Sequence, residues 1–235
     1  MLNKGHEPYQ EGVIKFNAQH TSTRLDTTIY GELACDLTAW REIFAKTQLV
    51  GQDPKRYDGA GYGNVSGRTG APSNSRGQRS FLITGTQTGG KSCINLDDYC
   101  AVREYNYQQN KVTSLGAIMP SSESMTHAAI YDLSPQIRFV LHAHTPTIWT
   151  RAQRLKIPIT DPKVAYGTPE MAQEVQRLYR STSLSEQKIL AMGGHEDGII
   201  VFGHTCQEAG QIMISYLAKA YSIQCAEQGV GLCTR

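Results

Sequence analysis

Apolar positions along the chain follow two rhythms. Between residues 25 and about 50, Leu33, Leu37, Trp40, Phe44 and Leu49 recur every three to five positions, the spacing of an amphipathic helix with one face on a core. Asn64–Arg68 and Phe81–Thr84 read as two short strands after a turn-rich stretch over residues 51–63. Residues 122–133 predict a short helix, and Pro135 breaks it before a run of strand character over 137–144. A further helix is predicted over 168–179, with Pro169 in the first turn, where a missing N–H is tolerated. Residues 188–192 and 199–202 are apolar runs separated by Gly193-Gly194-His195-Glu196-Asp197-Gly198, which predicts strand, tight connection, strand. Thr205-Cys206-Gln207-Glu208 has the pattern of a capping box and opens a last helix through Ile212, Leu217 and Tyr221. Strands and helices interleave without a regular βαβ rhythm. The expected fold is therefore α/β, with a mixed or antiparallel sheet covered by helices.

Length and composition narrow the picture. The 235 residues suit one generous domain, assigned to residues 25–235, and residues 1–24 carry no functional signal and are expected to be an N-terminal extension. No apolar run approaches the roughly 20 residues of a membrane span, and the polar start MLNKGHEPYQEG lacks the apolar core of a secretory signal, so a cytoplasmic address is expected. Cys35, Cys93, Cys100, Cys206, Cys225 and Cys233 form no C-x-x-C pair and are expected to be free thiols. A formal charge of +2, without a dense basic cluster, argues against a nucleic-acid partner and leaves a small molecule. The Gly/Ser/Arg-rich loop over residues 69–80 reads either as a solvated hairpin tip or as a lid in which Arg76 or Arg79 meets an anion.

The chemistry concentrates in a few histidines. On a strand, residues i and i+2 share a face, so His142 and His144 would present two imidazoles side by side while Ala143 faces away. Two nitrogens hold an ion weakly, and a catalytic zinc site wants three protein ligands with a position left open. His195, in a glycine-rich turn after a strand, is the candidate third ligand. Taken alone, H-x-H also fits ordinary hydrogen-bonding histidines. Pro120-Ser121-Ser122-Glu123 leads into a helix whose free N–H groups suit an anion, and Glu123 in its first turn is placed for proton abstraction beside a metal, although Ser-Ser-Glu alone also fits plain capping. His127, one turn further along that helix, reads as a packing or hydrogen-bond partner rather than a fourth ligand.

Gly63-Asn64-Val65-Ser66, Pro120-Ser121-Ser122-Glu123, His142-Ala143-His144, a Gly-Thr-Pro-Glu helix start at Gly167 and His195 appear in an order and spacing that resemble the class II aldolase/adducin family over roughly residues 25–225. The resemblance implies a three-layer α/β/α sandwich around a central, largely antiparallel sheet, a homotetramer with active sites at subunit interfaces, and a small-molecule carbonyl substrate. It implies zinc or another divalent metal on His142, His144 and His195, Glu123 as acid/base, and a phosphate pocket lined by Asn64, Thr86, Ser121 and Ser122. The implied reaction is aldol cleavage of a hydroxylated ketose, a sugar phosphate, through a metal-stabilised enediolate. Epimerisation, dehydration or decarboxylation at the same centre, or a non-catalytic adducin-like module, are the alternatives. Three departures bear on the substrate. Gln87 stands in Ile83-Thr84-Gly85-Thr86-Gln87 where the family has glycine, and Glu196-Asp197 follow His195 where glycine is usual. Lys163 lies near the place of a proton-donating tyrosine, for which Tyr166, Tyr216 and Tyr221 are candidate substitutes.

Overall fold

A computed structural model of the chain describes residues 12–229. The first strand, β1 (Asn17–Ser22), lies in the stretch expected to fall outside the domain, so the sheet begins before residue 25. Helix α1 (Thr27–Lys46) follows, capped by the Asp26 carboxylate, which accepts from the Thr28 N–H at 2.8 Å. A small ladder of β2 (Gly51–Gln52) and β3 (Gly61–Tyr62) precedes β4 (Asn64–Arg68) and β5 (Phe81–Thr84). Two longer strands, β6 (Tyr99–Asn106) and β7 (Lys111–Gly116), form a hairpin before the short helix α2 (Ser124–Tyr131). Strand β8 (Phe139–His144), the short α3 (Pro146–Trp149), α4 (Pro169–Ser181) and α5 (Leu184–Gln187) come next. The hairpin of β9 (Ile189–Ala191) and β10 (Gly198–Gly203) leads to the final helix, α6 (Cys206–Glu227). Thr205 caps α6 as its sequence predicts, accepting from Glu208 N–H at 3.0 Å, and Glu208 in turn accepts from His204 N–H at 2.7 Å.

The main sheet runs β1-β7-β6-β5-β4-β8-β10-β9, and every neighbouring pair is antiparallel except β1 with β7. Strict alternation along its central strands separates two apolar layers. Leu141 and Ala143 of β8 and Ile199 and Val201 of β10 pack with α1, α3 and α6 through Leu37, Phe44, Ile148, Met213 and Leu217. Val140, Ile200 and Phe202 point the other way, toward Met125 and Ala128 of α2 and Met171, Val175 and Leu178 of α4. The result is the expected three-layer α/β/α sandwich.

Arg41 ties α1 to the loop after β5. It is 2% exposed and donates to the carbonyls of Thr88, Gly89 and Lys91 at 3.1, 2.8 and 2.5 Å. The lid reading of residues 69–80 does not hold for Arg79. That side chain is buried, donates to the Tyr131 carbonyl and to the Asn74 carbonyl, and lies 3.9 Å from Asp132, so it fastens the loop to the end of α2. Arg76 lines a surface hollow with Glu104 and Lys111, away from the histidines. Cys35, Cys93, Cys100, Cys206 and Cys225 are free thiols, and Cys233 lies outside the described residues. Among the described residues no helix is long and apolar enough to cross a membrane.

Candidate metal centre

Because Leu141 and Ala143 face the α1/α6 layer, His142 and His144 face α2 and α4. His195 reaches them from the turn between β9 and β10. All three rings are fully buried, and their donor atoms lie within 4.8 Å of one another. The Nε2 of His144 lies 3.0 Å from that of His142 and 2.8 Å from that of His195. On its outer side the His142 Nδ1 lies 3.2 Å from the Ile199 carbonyl, which takes the ring proton there and leaves the Nε2 lone pair turned inward. A single proton on His144 Nε2 cannot satisfy two neighbours at once. A divalent cation would satisfy all three nitrogens, so the donor set fits such an ion.

Electrostatics point the same way. Burial drives His142 down to about 4, against the pull of the Ile199 carbonyl. Burial, then the neighbouring His195, His142 and Arg56 charges, holds His144 well below the usual imidazole range. His195 is held low by burial, His142 and Lys15. Rings kept neutral are rings ready to ligate.

Glu123 sits at the N-terminal boundary of α2, 1% exposed, with Oε1 3.5 Å from His195 Nδ1. Two of the N–H groups at this helix start are already bonded. Glu123 N–H donates to Ser121 Oγ at 3.2 Å and Ser124 N–H donates to the Ser121 carbonyl at 3.0 Å. His127 is not part of the metal group: its Nδ1 lies 2.7 Å from Ser66 Oγ, which also meets Tyr131 Oη at 2.6 Å.

A wall that carries no sequence signal closes one side. Tyr57 stacks edge-on against His144 at 4.8 Å between centroids, with Tyr62 behind it at 5.6 Å. Tyr57 Oη donates to Asp197 Oδ2 at 2.7 Å, and Arg56 reaches the same oxygen at 3.4 Å. The two carboxylates after His195 thus part company: Asp197 is 8% exposed and held by Tyr57 and Arg56, while Glu196 is exposed. Burial, followed by the Asp197 carboxylate, raises the Tyr57 hydroxyl far above the ordinary phenol range. Of the tyrosines considered from the sequence, Tyr166 packs edge-on to His195 at 4.6 Å. Tyr216 bonds Gln187, and Tyr221 is 50% exposed; both are on α6, in the layer across the sheet from the histidines.

Asn64, Thr86, Ser121 and Ser122 do come together, around a cavity of about 10 Å³ that they share with Gly61, Gln87 and Gly89. Asn64 sits on β4 directly opposite His142 of β8, which places this cavity next to the histidines.

A family model described as Class II Aldolase and Adducin N-terminal domain matches residues 53–225. The chain belongs to this family. Its fold is also that of solved class II aldolases. L-fuculose-1-phosphate aldolase from Thermus thermophilus superposes with a TM-score of 0.60 at 20% identity, over 86% of this chain and 99% of that one. A sugar-phosphate aldolase from Thermotoga maritima gives 0.60 at 16% identity over 86% and 98% of the two chains. YgbL from Escherichia coli, described by its solvers as a candidate aldolase/epimerase/decarboxylase, gives 0.57 at 16% identity over 82% and 88%. Identities this low establish the fold of this class II aldolase/adducin domain and no particular reaction. Among curated proteins no match is found.

Proposed function

We propose that this class II aldolase/adducin domain is a divalent-metal-dependent lyase that splits the bond between the carbons α and β to the carbonyl of a hydroxylated ketose. The observation that carries the reading is the convergence of His142, His144 and His195 with the Glu123 carboxylate 3.5 Å from the third ring. An ion held there would supply a Lewis acid that stabilises the charge developing on the carbonyl oxygen as the bond between the α and β carbons breaks. Glu123, buried at that edge, takes the proton from the substrate hydroxyl and returns it to carbon after cleavage. Tyr57, Tyr62 and Tyr166 exclude water from the ring nitrogens, and Arg56 offsets the charge of Asp197. Zinc as the native ion and a homotetrameric assembly complete the reading, on the strength of the family resemblance.

The test is aldehyde release from a panel of ketoses, ketose 1-phosphates and hydroxy-keto acids, with and without chelator and added zinc. Chelator-sensitive release supports the lyase; absence of any carbon–carbon cleavage by metal-loaded protein refutes it. The mixed description of YgbL favours one second reading, epimerisation or decarboxylation at the same centre. Product analysis separates the two, because only the aldolase yields two smaller carbon fragments.

A further inference from the structure

Gln87 lines the small cavity beside the histidines at its solvent side. Gln87 holds a left-handed backbone, φ 57°, a conformation that favours glycine. Its side chain stays exposed at the rim of the cavity, where Oε1 accepts from the Gly61 N–H at 2.9 Å. The amide nitrogen lies against Gly12 so closely that a Cβ built there would come within 2.0 Å of Nε2. About 10 Å³ is left, the room of a single water. A phosphate, with phosphorus and four oxygens, does not fit that space. Nor would it find countercharge. Among the described residues, those around the cavity include no Lys or Arg. The nearby N–H groups of Gly61, Gly85, Thr86, Glu123 and Ser124 are already bonded, to Gln87, Asp98, Met119 and, for the last two, Ser121. One acceptor is left over: among the described residues the buried Oδ1 of Asn64 has no hydrogen-bond partner.

We propose that Gln87 is a specificity-determining residue that shuts this pocket to phosphate, and that the substrate is an unphosphorylated hydroxy-ketone whose neutral hydroxyl end lies there, donating to Asn64 Oδ1. The inference rests on the lyase reading for the word substrate, and it departs from the sugar phosphate that the sequence resemblance implies.

Two measurements test it separately. Inorganic phosphate is titrated calorimetrically into wild type and Gln87→Gly, each metal-loaded and metal-free, so that binding at the pocket is the part that survives metal removal. Wild type is expected to show none in the millimolar range, and Gln87→Gly to bind at least about tenfold more tightly. Gln87→Asn, shorter but tolerant of the left-handed backbone, serves as the second variant and is expected to fall between them. Wild type binding phosphate as tightly as both variants overturns the proposal. In the second measurement, aldehyde release from a ketohexose and its 1-phosphate is compared. A higher kcat/KM for the unphosphorylated ketose, reversed in Gln87→Gly, is expected; preference of wild type for the phosphate overturns it. Should neither ketose be cleaved, the lyase reading fails while the phosphate titration still decides what Gln87 does.

Discussion

Lowering the pH should destabilise the metal-free protein steeply, because its buried histidines are held neutral. His142 titrates at about 4 in the fold and near 6.5 in an unfolded chain. Between those values the unfolded state binds the proton and the folded state does not, so stability is full above about pH 6.5 and falls as the pH drops through the window. From pH 7.5 to 5.5 one such histidine removes somewhat over 1 kcal/mol, on the order of one proton's linkage across that window. His127, His144 and His195 are pushed the same way, first by burial, which sets a ceiling of about 5 kcal/mol for the four. That is a large part of the stability of an ordinary domain. The assay is urea unfolding of chelator-treated protein at the two pH values, followed by circular dichroism, with His127→Asn or His142→Asn as the variant in which the pH dependence should shrink. Equal unfolding midpoints at pH 7.5 and 5.5, or a more stable protein at the lower pH, would refute the claim that these rings are kept neutral.

Four further outcomes follow from the same geometry. Glu123→Gln should keep the fold and the bound metal yet lose about 10²- to 10⁴-fold in kcat, as removal of an acid/base group does; metal analysis and steady-state kinetics check it. His144→Ala removes the ring to which both other histidines point, so metal content by emission spectroscopy should fall from near stoichiometric to background while circular dichroism is retained. Gly194→Ala would place a Cβ 2.5 Å from the Val164 carbonyl and should displace the His195 turn, weakening metal binding and costing about 1–3 kcal/mol in urea unfolding. Arg41→Met leaves the Thr88, Gly89 and Lys91 carbonyls without their charged donor and should cost about 3 kcal/mol, read as a lowered thermal midpoint; an unchanged midpoint would show that the loop after β5 is held by other contacts.

How legible each part was depends on what the local residues had to do. The helices α1, α4 and α6 follow directly from spacing, since each buries one regular face, whereas α2 and the strands β4, β5, β8, β9 and β10 are buried almost throughout and are marked by short runs bounded by turn residues and Pro135. The hairpin of β6 and β7 is harder to read because a bulge between Val102 and Glu104 shifts the alternation midway along β6. Strand β1, Asn-Ala-Gln-His-Thr-Ser, has no apolar rhythm at all: it is an edge strand that pairs in parallel with β7 from far away in the sequence, and its side chains stay largely at the surface. The three histidines stand out as residue types in a strand and a glycine-rich turn. The wall of Arg56, Tyr57 and Asp197 does not, because its arrangement depends on non-glycine residues, Tyr57, Asp58 and Asp197, with left-handed backbone that no residue type announces.

The candidate metal centre is in the end a consequence of strand register. Antiparallel pairing sets His144 opposite Gly198 and His142 opposite Ile200, so the turn that precedes β10 must emerge at the His144 end of β8. Gly193 and Gly194 then pass against the Thr160 and Val164 carbonyls, where a Cβ would come within 2.3 and 2.5 Å, and this close passage aims His195 back over the sheet rather than out to solvent. On the other side β4 pairs with β8 so that Asn64 faces His142, which fixes the small cavity beside the rings. A one-residue slip of β8 against either neighbour would turn His142 and His144 into the α1/α6 layer and put Leu141 and Ala143 in their place. The apolar side chains that forbid this slip, Leu141 and Ala143 on one face and Val140 on the other, are therefore what holds three nitrogens and a carboxylate within reach of a single ion.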